Sequence, residues 1–404
     1  MIRLLDSWES YFATLNRQVP THFVLAAAIQ NAAEDDQWLQ AFELLQERHI
    51  LLRSAIRKDP QGRLAFVETP AAPIPVTFLP WANEADWRQC YAEQLRTAFE
   101  AEACPLIRVH VLRGGARTDL VITCHHSISD AMGIAYLIRD AINIVNGQTL
   151  PLQSAYVPAP IDSLWQERKP GLQPLDVPQP SPGPGRLPLQ GTIPLPEVLT
   201  VSLSKDETSA LQKRAREQSV SVHAAISAAI VLAGRQYCSG WREAPVRIAT
   251  PVDLRSRLGL HDEFCLAITA FGHACEVTED TNLWRLAVKM QEVLAASTTD
   301  AALLTATRAL GALMQVEDDT DVLPRLVAFS PAYEVMISNL RVLNFVIASG
   351  TLRLETVLGP NTLQQFEGQQ SIGVSTYGGQ LSMIYASYNT LPGLLERTAE
   401  LLRT

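Results

Sequence analysis

No stretch of this 404-residue chain approaches the run of about eighteen apolar residues that a membrane-crossing helix requires. Its opening residues, MIRLLDSWESYFA, place acids and a tryptophan where a secretory leader needs an unbroken apolar segment, so the chain is expected to be cytoplasmic. Basic residues are the minority: 33 Lys and Arg against 42 Asp and Glu leave a net charge of −9. With no Lys/Arg run either, a nucleic-acid footprint is excluded. The six cysteines (Cys90, Cys104, Cys124, Cys238, Cys265 and Cys275) show no C-x-x-C spacing, which removes a zinc knuckle and a disulfide framework and leaves reduced, mostly buried thiols. Also missing are an H-E-x-x-H metal helix, a Gly-x-Ser-x-Gly nucleophile elbow and any cysteine in a nucleophile motif.

What is present is ample apolar material, 47% of residues, in a chain whose length suits two domains of roughly 200 residues each. DDQWLQAFELLQERHILLRSAI has helical spacing, GRLAFVE strand character, and EADWRQCYAEQLRTAFE a helical period again. LIRVHVLR and DLVITCHH form a hairpin signal across GGART, and AMGIAYLIRDAINIV then sets Ile134, Leu137, Ile138, Ala141 and Ile142 on one helical stripe. Residues 151–196 hold 12 of the 25 prolines and no sustained periodicity. The organisation read from this is an N-terminal half over 1–155, a proline-rich crossover over 156–196 and a C-terminal half over 197–404. The second half opens with Ser204 and Glu207 in capping-box spacing, and continues through a buried helix (SVHAAISAAIVLAGRQY), a strand running into a basic loop (VRIATPVDLRSRL), further strands and helices, and a hairpin around Gly378-Gly379. The class is α/β, a pair of sandwiches.

Chemistry concentrates at VITCHHSISDAMGI, where a strand ends in His125 and His126 and Asp130 precedes the helix. Three readings are open: a catalytic histidine, half of a metal site, or polar residues that close a strand while Asp130 caps the helix near Ala131 and Met132. Neighbouring residues on a strand point in opposite directions, so two adjacent histidines ligate one ion poorly. A histidine at a strand–loop junction can present a neutral imidazole near working pH, and a following aspartate can brace its loop.

HHSISDA (His125, His126, Ser127, Ile128, Ser129, Asp130, Ala131) resembles the HHxxxDG signature of the chloramphenicol-acetyltransferase-like superfamily, which includes condensation domains and polyketide-associated acyltransferases. Similar segments recur at ERHILLRSAI (Glu47 to Ile56), CPLIRVHVL (Cys104 to Leu112), TPVDLRSRLG (Thr250 to Gly259), ISNLR (Ile337 to Arg341) and TYGGQL (Thr376 to Leu381). The chain departs from the pattern at Ala131, where the signature ends in glycine, and at Arg341, where an SNxG turn has glycine. The resemblance implies two α/β sandwich domains in a V with an interfacial active-site tunnel. His126 would be the general base, His125 and Asp130 would share its motif, Ser338 and Asn339 would serve as oxyanion donors, and Asp130 would form a structural ion pair with Arg255, or else with Arg257. It further implies acyl transfer from a coenzyme A or acyl-carrier-protein thioester to an alcohol, with coenzyme A or phosphopantetheine as co-substrate, no tightly bound cofactor and no metal. The acceptor would be a small-molecule or carrier-bound alcohol or amine, and the protein a monomer. Two rivals stand beside it: a freestanding condensation enzyme that forms an amide between carrier-bound substrates, and a non-catalytic condensation-like domain. LQKRAREQ (Lys213, Arg214, Arg216) offers a basic face for an anionic donor, or simply a solvated helix face.

Overall fold

The computed structural model describes residues 1–69, 72–100, 102–151, 157–176, 189–278, 281–314 and 333–404. The PQPSPGPG tract at 178–185 lies outside them. The N-terminal half runs β1 (Arg3–Leu4), α1 (Ser7–Leu15), β2 (His22–Gln30), α2 (Asp35–Arg48), β3 (Ser54–Lys58), β4 (Leu64–Glu68), β5 (Val76–Pro80), α3 (Glu84–Arg96), β6 (Ile107–Gly114), β7 (Arg117–His125) and α4 (Ala131–Val145). Inside the segment read as a crossover, α5 (Ile161–Arg168) forms behind Pro160 and buries Ile161, Leu164 and Trp165. At 8 residues it is too short to impose a readable helical period. The C-terminal half continues with β8 (Glu197–Leu203), α6 (Lys205–Glu217), α7 (Val222–Tyr237), α8 (Ser239–Glu243), β9 (Val246–Asp253), α9 (Arg255–Leu258), β10 (Ile268–Cys275), α10 (Leu283–Ser297), α11 (Asp300–Met314), β11 (Val335–Val342), β12 (Arg353–Asn361), β13 (Gln370–Tyr377), β14 (Gln380–Ser387) and α12 (Leu394–Arg403).

The first half is organised on a five-stranded sheet of order β12-β2-β7-β6-β5. β2 sits at its centre because both of its faces are apolar. Phe23, Leu25, Ala27 and Ile29 join the core under α2 and α4, while Val24 and Ala26 join a second core under α3 with Trp87 and Tyr91. A strand buried on both sides loses its alternation of apolar and polar residues, so HFVLAAAIQ does not announce itself by period. The helical reading of 35–56 overshoots: α2 stops at Arg48, a 3₁₀ turn follows over Ile50–Arg53, and Ser54–Lys58 pairs with β4. Arg53 folds back to donate to the carbonyls of Gln46 and Glu47, two of the acceptors the helix end leaves open.

The second half holds a six-stranded sheet of order β10-β9-β11-β13-β14-β8, packed on α7, α10 and α12. β12 belongs to this half in sequence, yet pairs antiparallel with β2 of the other sheet. Where it crosses, glycine is required: a Cβ on Gly373 would lie 2.5 Å from the carbonyl carbon of Gly359 and 2.6 Å from the Pro360 oxygen. Asn361 then donates to the Ser371 carbonyl at 2.9 Å and accepts from Tyr91 Oη at 2.9 Å, tying both halves to one residue. No helix among the described residues is long and apolar enough to cross a membrane.

Candidate active site

Parallel β9 and β11 pair only at Val335↔Ile248 and Met336↔Ala249, then part. A cavity of about 630 Å³ occupies the gap and extends to the N-terminal half. Thr250 and Pro251 wall one side, Ser338 and Asn339 the other, and Trp8, Phe12 and His126 close it from the first half. Pro251 has no amide to offer a neighbouring strand, which suits a strand whose edge opens onto a cavity.

His126 reaches this cavity because β7 ends at His125 and the chain turns before α4. Its imidazole lies between two rings, stacked on Phe12 at 4.5 Å between centroids and tilted against Phe23 at 4.4 Å. Phe12 comes from α1, whose capping box of Asp6 and Glu9 sets the helix start, and whose spacing puts Trp8, Tyr11 and Phe12 on one face. The Ser127 hydroxyl donates to the Glu9 carbonyl at 2.9 Å and fastens the histidine loop to that helix. Nδ1 of His126 is buried, and the residue lies on the cavity wall. Burial pulls the imidazole down to a pKa of about 4, against the opposing charge of Asp130 and the Ser129 backbone. The ring is therefore neutral near pH 7 and able to accept a proton.

His125 is occupied. Its Nδ1 accepts from the Ser127 amide at 3.1 Å, which places the proton on Nε2, and Nε2 faces Thr21 Oγ1 at 3.3 Å. Thr21 in turn donates to the Phe12 carbonyl, so His125 braces both the loop and α1. Burial lowers its pKa to about 3, and the neighbouring histidines His22 and His126 add to the effect.

Asp130 is held still more closely. Arg255 Nη1 donates to its two oxygens at 2.8 and 2.7 Å, the Gly133 amide to Oδ1 at 3.1 Å as the N-cap bond of α4, and the Ala267 amide to Oδ2 at 2.7 Å. Both side chains are almost wholly buried, at 3% and 2% exposure. Arg255 also reaches the Cys265 carbonyl at 2.8 Å and Asp253 at 3.1 Å. Burial works against the guanidinium's charge, yet the charges around it, Asp130 foremost, hold its pKa above the usual value. The pair clamps the histidine loop to the second half. Arg257 goes elsewhere, to Asp300 at 3.1 Å. Ala131 needs no left-handed backbone as the first residue of α4; the glycine this junction requires is Gly133, whose Cβ position lies 2.2 Å from Ser129 Oγ.

Ser338 and Asn339 both line the cavity. Asn339 Oδ1 accepts the Arg341 amide at 2.7 Å, which leaves its NH₂ free to donate. Arg341 adopts φ +60, a left-handed conformation that favours glycine, at the position where the SNxG pattern has one. Residues missed in the sequence reading are Phe12 and Phe23, which hold the imidazole, and Thr250, whose buried hydroxyl on the cavity wall has no partner. Nothing local marks the two phenylalanines; Thr250 stood inside TPVDLRSRLG. The basic face of α6 is not part of the cavity: Lys213 meets solvent beside Glu217, and Arg214 donates to the Leu402 and Arg403 carbonyls at the end of α12. All six cysteines are free thiols, and Cys124 packs into the first core.

Residues 9–157 match the family model of the condensation domain, and residues 194–385 match that of the phthiocerol/phthiodiolone dimycocerosyl transferase C-terminus. Over 328 residues, 73% of each chain, the sequence is 25% identical to phthiocerol/phthiodiolone dimycocerosyl transferase of Mycobacterium leprae (strain TN). The fold is similar to that of polyketide synthase associated protein 5 from Mycobacterium tuberculosis, with a TM-score of 0.69 at 20% identity over 100% of this chain and 98% of that one. It is also similar to the first condensation domain of the calcium-dependent antibiotic synthetase, with a TM-score of 0.67 at 14% identity over 100% and 96%.

Proposed function

We propose that this chain, which belongs to the chloramphenicol-acetyltransferase-like superfamily and is an acyltransferase, moves an acyl group from a coenzyme A or acyl-carrier-protein thioester to an alcohol, with His126 as general base. The observation that carries the reading is the His126 imidazole, held by Phe12 and Phe23 on the wall of a cavity lined from both halves, with its pKa lowered to about 4 by burial. The transferase relative matched over 73% of both chains supports acyl transfer to a hydroxyl.

In this reading the acceptor O–H gives its proton to Nε2 as the oxygen attacks the thioester carbonyl. The resulting oxyanion takes hydrogen bonds from the Asn339 amide and the Ser338 hydroxyl on the cavity wall. Collapse breaks the C–S bond, and the departing thiolate recovers the proton from the imidazolium. One ester and one free thiol are produced, and no covalent enzyme intermediate forms. The cavity volume falls within the range of small-molecule sites, and its aromatic wall of Trp8, Tyr11 and Phe12 suits apolar substrate parts.

The test is mass spectrometry of products from a panel of acyl thioesters with alcohol and amine acceptors. Ester and thiol in equal amounts are expected. His126→Ala should lower turnover by roughly a hundred- to ten-thousand-fold with its melting temperature retained. A folded variant that keeps near-normal rate would remove His126 from the mechanism, and amide as the main product would replace the alcohol by an amine.

A further inference from the structure

The wall of the cavity is not uniform. Where it borders α1, the lining residues Trp8, Tyr11 and Phe12 belong to a small core that Leu310 of α11 joins from the second half, and Ile268 and Ala270 of β10 pack against that same core. The remaining wall is mixed, with Asn339, Gln212 and Gln291 among its residues. One end of the cavity is therefore faced by aromatic side chains of the N-terminal half and aliphatic side chains of the C-terminal half. Phe12 ties that end to the chemistry, since its ring is stacked on the His126 imidazole at 4.5 Å between centroids.

Strand period explains what β10 contributes. Ile268 and Ala270 are two positions apart and share a face of the strand, opposite Asp253 and Pro251 of β9, which also line the cavity. Thr269 between them belongs to the other face and is fully buried. Ile268 and Ala270 are only half-buried, although they pack against a core. Protein interiors are otherwise filled to crystal-like density, so apolar side chains that meet a cavity forgo dispersion contacts and hold apolar surface against water. An apolar group inserted there recovers both, at about fourfold in affinity per buried methylene. Of the two β10 residues Ala270 has the smaller side chain, and it leaves the most room along that face.

We propose that the Trp8, Tyr11 and Phe12 face of α1 and the Ile268 and Ala270 face of β10 form the seat of an apolar chain carried by one of the substrates, with Ala270 setting the length of chain admitted. Which substrate carries the chain rests on the acyl-transfer reading; the binding of the chain does not.

The seat is tested without turnover, by calorimetric titration of the full chain with two series of probes lengthened one methylene at a time: S-alkylpantetheine thioethers for the donor and n-alcohols for the acceptor. At least one series should gain about fourfold in affinity per added methylene until the seat is full, and then level off. Ala270→Leu, which adds an isopropyl group to the wall, should move the levelling-off to shorter chains and cut the octyl-to-butyl affinity ratio by roughly tenfold. Ile268→Ala should move it to longer chains, and carries the test in the opposite direction if the leucine variant does not fold. Ala274→Leu, at the exposed end of the same strand and outside the lining, should leave the ratio as it is. In turnover assays, the thioester or alcohol series whose preferred length shifts in Ala270→Leu identifies the source of the chain. The proposal is overturned if neither series gains with length, if the ratio is unchanged in both Ala270→Leu and Ile268→Ala, or if Ala274→Leu alters it as much. A length preference that depends on Ala270 in a protein without acyl transfer would instead strike the enzymatic reading and leave the seat standing.

Discussion

Replacing Asp130 by Asn separates its two jobs. Asparagine caps a helix as well as aspartate, so the bond to the Gly133 amide survives. What goes is the charge and one of the two oxygens that Arg255 Nη1 grips at 2.8 and 2.7 Å, while the Ala267 amide competes for the acceptor that remains. Breaking a buried pair from one side typically costs 3–5 kcal/mol, since the other charge stays buried. Arg255 keeps some compensation from Asp253 and the Cys265 carbonyl, which puts Asp130→Asn near the low end, about 3 kcal/mol. Arg255→Ala should cost a similar amount, because Asp130 keeps only two amide donors for a buried carboxylate. The double variant removes the unpaired charge that each single change leaves behind, and should cost about 2–3 kcal/mol less than the sum. Urea unfolding of the four proteins measures this coupling, with turnover followed alongside. Additivity within about half a kcal/mol would refute the claim that the pair acts as one clamp between the halves.

His125→Phe leaves the Ser127 amide without its acceptor, while the Thr21 hydroxyl keeps only its bond to the Phe12 carbonyl, so stability should drop by about 1–3 kcal/mol and the rate should fall with it; lost rate at an unchanged melting temperature would make His125 catalytic in its own right. His22, His49, His125, His126 and His223 all have pKa values lowered to about 3–4 by burial, so below pH 6.5 the unfolded chain binds more protons than the folded one. Their contribution is fully present above pH 6.5 and lost as pH falls toward the folded values, opposed by Asp6, whose raised pKa favours the folded state in acid; urea titrations from pH 7 to 5 should show a loss of a few kcal/mol per unit, and a flat profile would refute it. Gly133→Ala places a Cβ 2.2 Å from Ser129 Oγ, so it should destabilise by about 1–3 kcal/mol against its better helix propensity, and a higher melting temperature would show that the junction has room.

The legible parts of the site share one property, contiguity. A strand ending at His125, an acid at the N-cap and an amphipathic helix over Ala131–Val145 all follow from residues a few positions apart, whose hydrogen bonds close locally. The hairpins β6–β7 and β13–β14 were readable on the same ground. Asp130 and Arg255 were paired in the sequence reading through resemblance, since a sequence separation of 125 carries no local signal of their meeting.

By itself the sequence determined the alternation of helices and strands, the apolar stripe of α4, the capping of α6 and the chemistry concentrated at the end of β7. Short-range backbone bonding and side-chain period decide such features, and both are written in neighbouring residues. Only the tertiary structure decided that Phe12 and Phe23 would enclose His126, that β12 would leave its own half to pair with β2, that α2 would give way to β3, and that β9 and β11 would part to open a cavity. Each of these depends on which buried face meets which. An apolar residue carries the same tendency to leave water whatever its eventual neighbour, and packing among distant segments selects the partner.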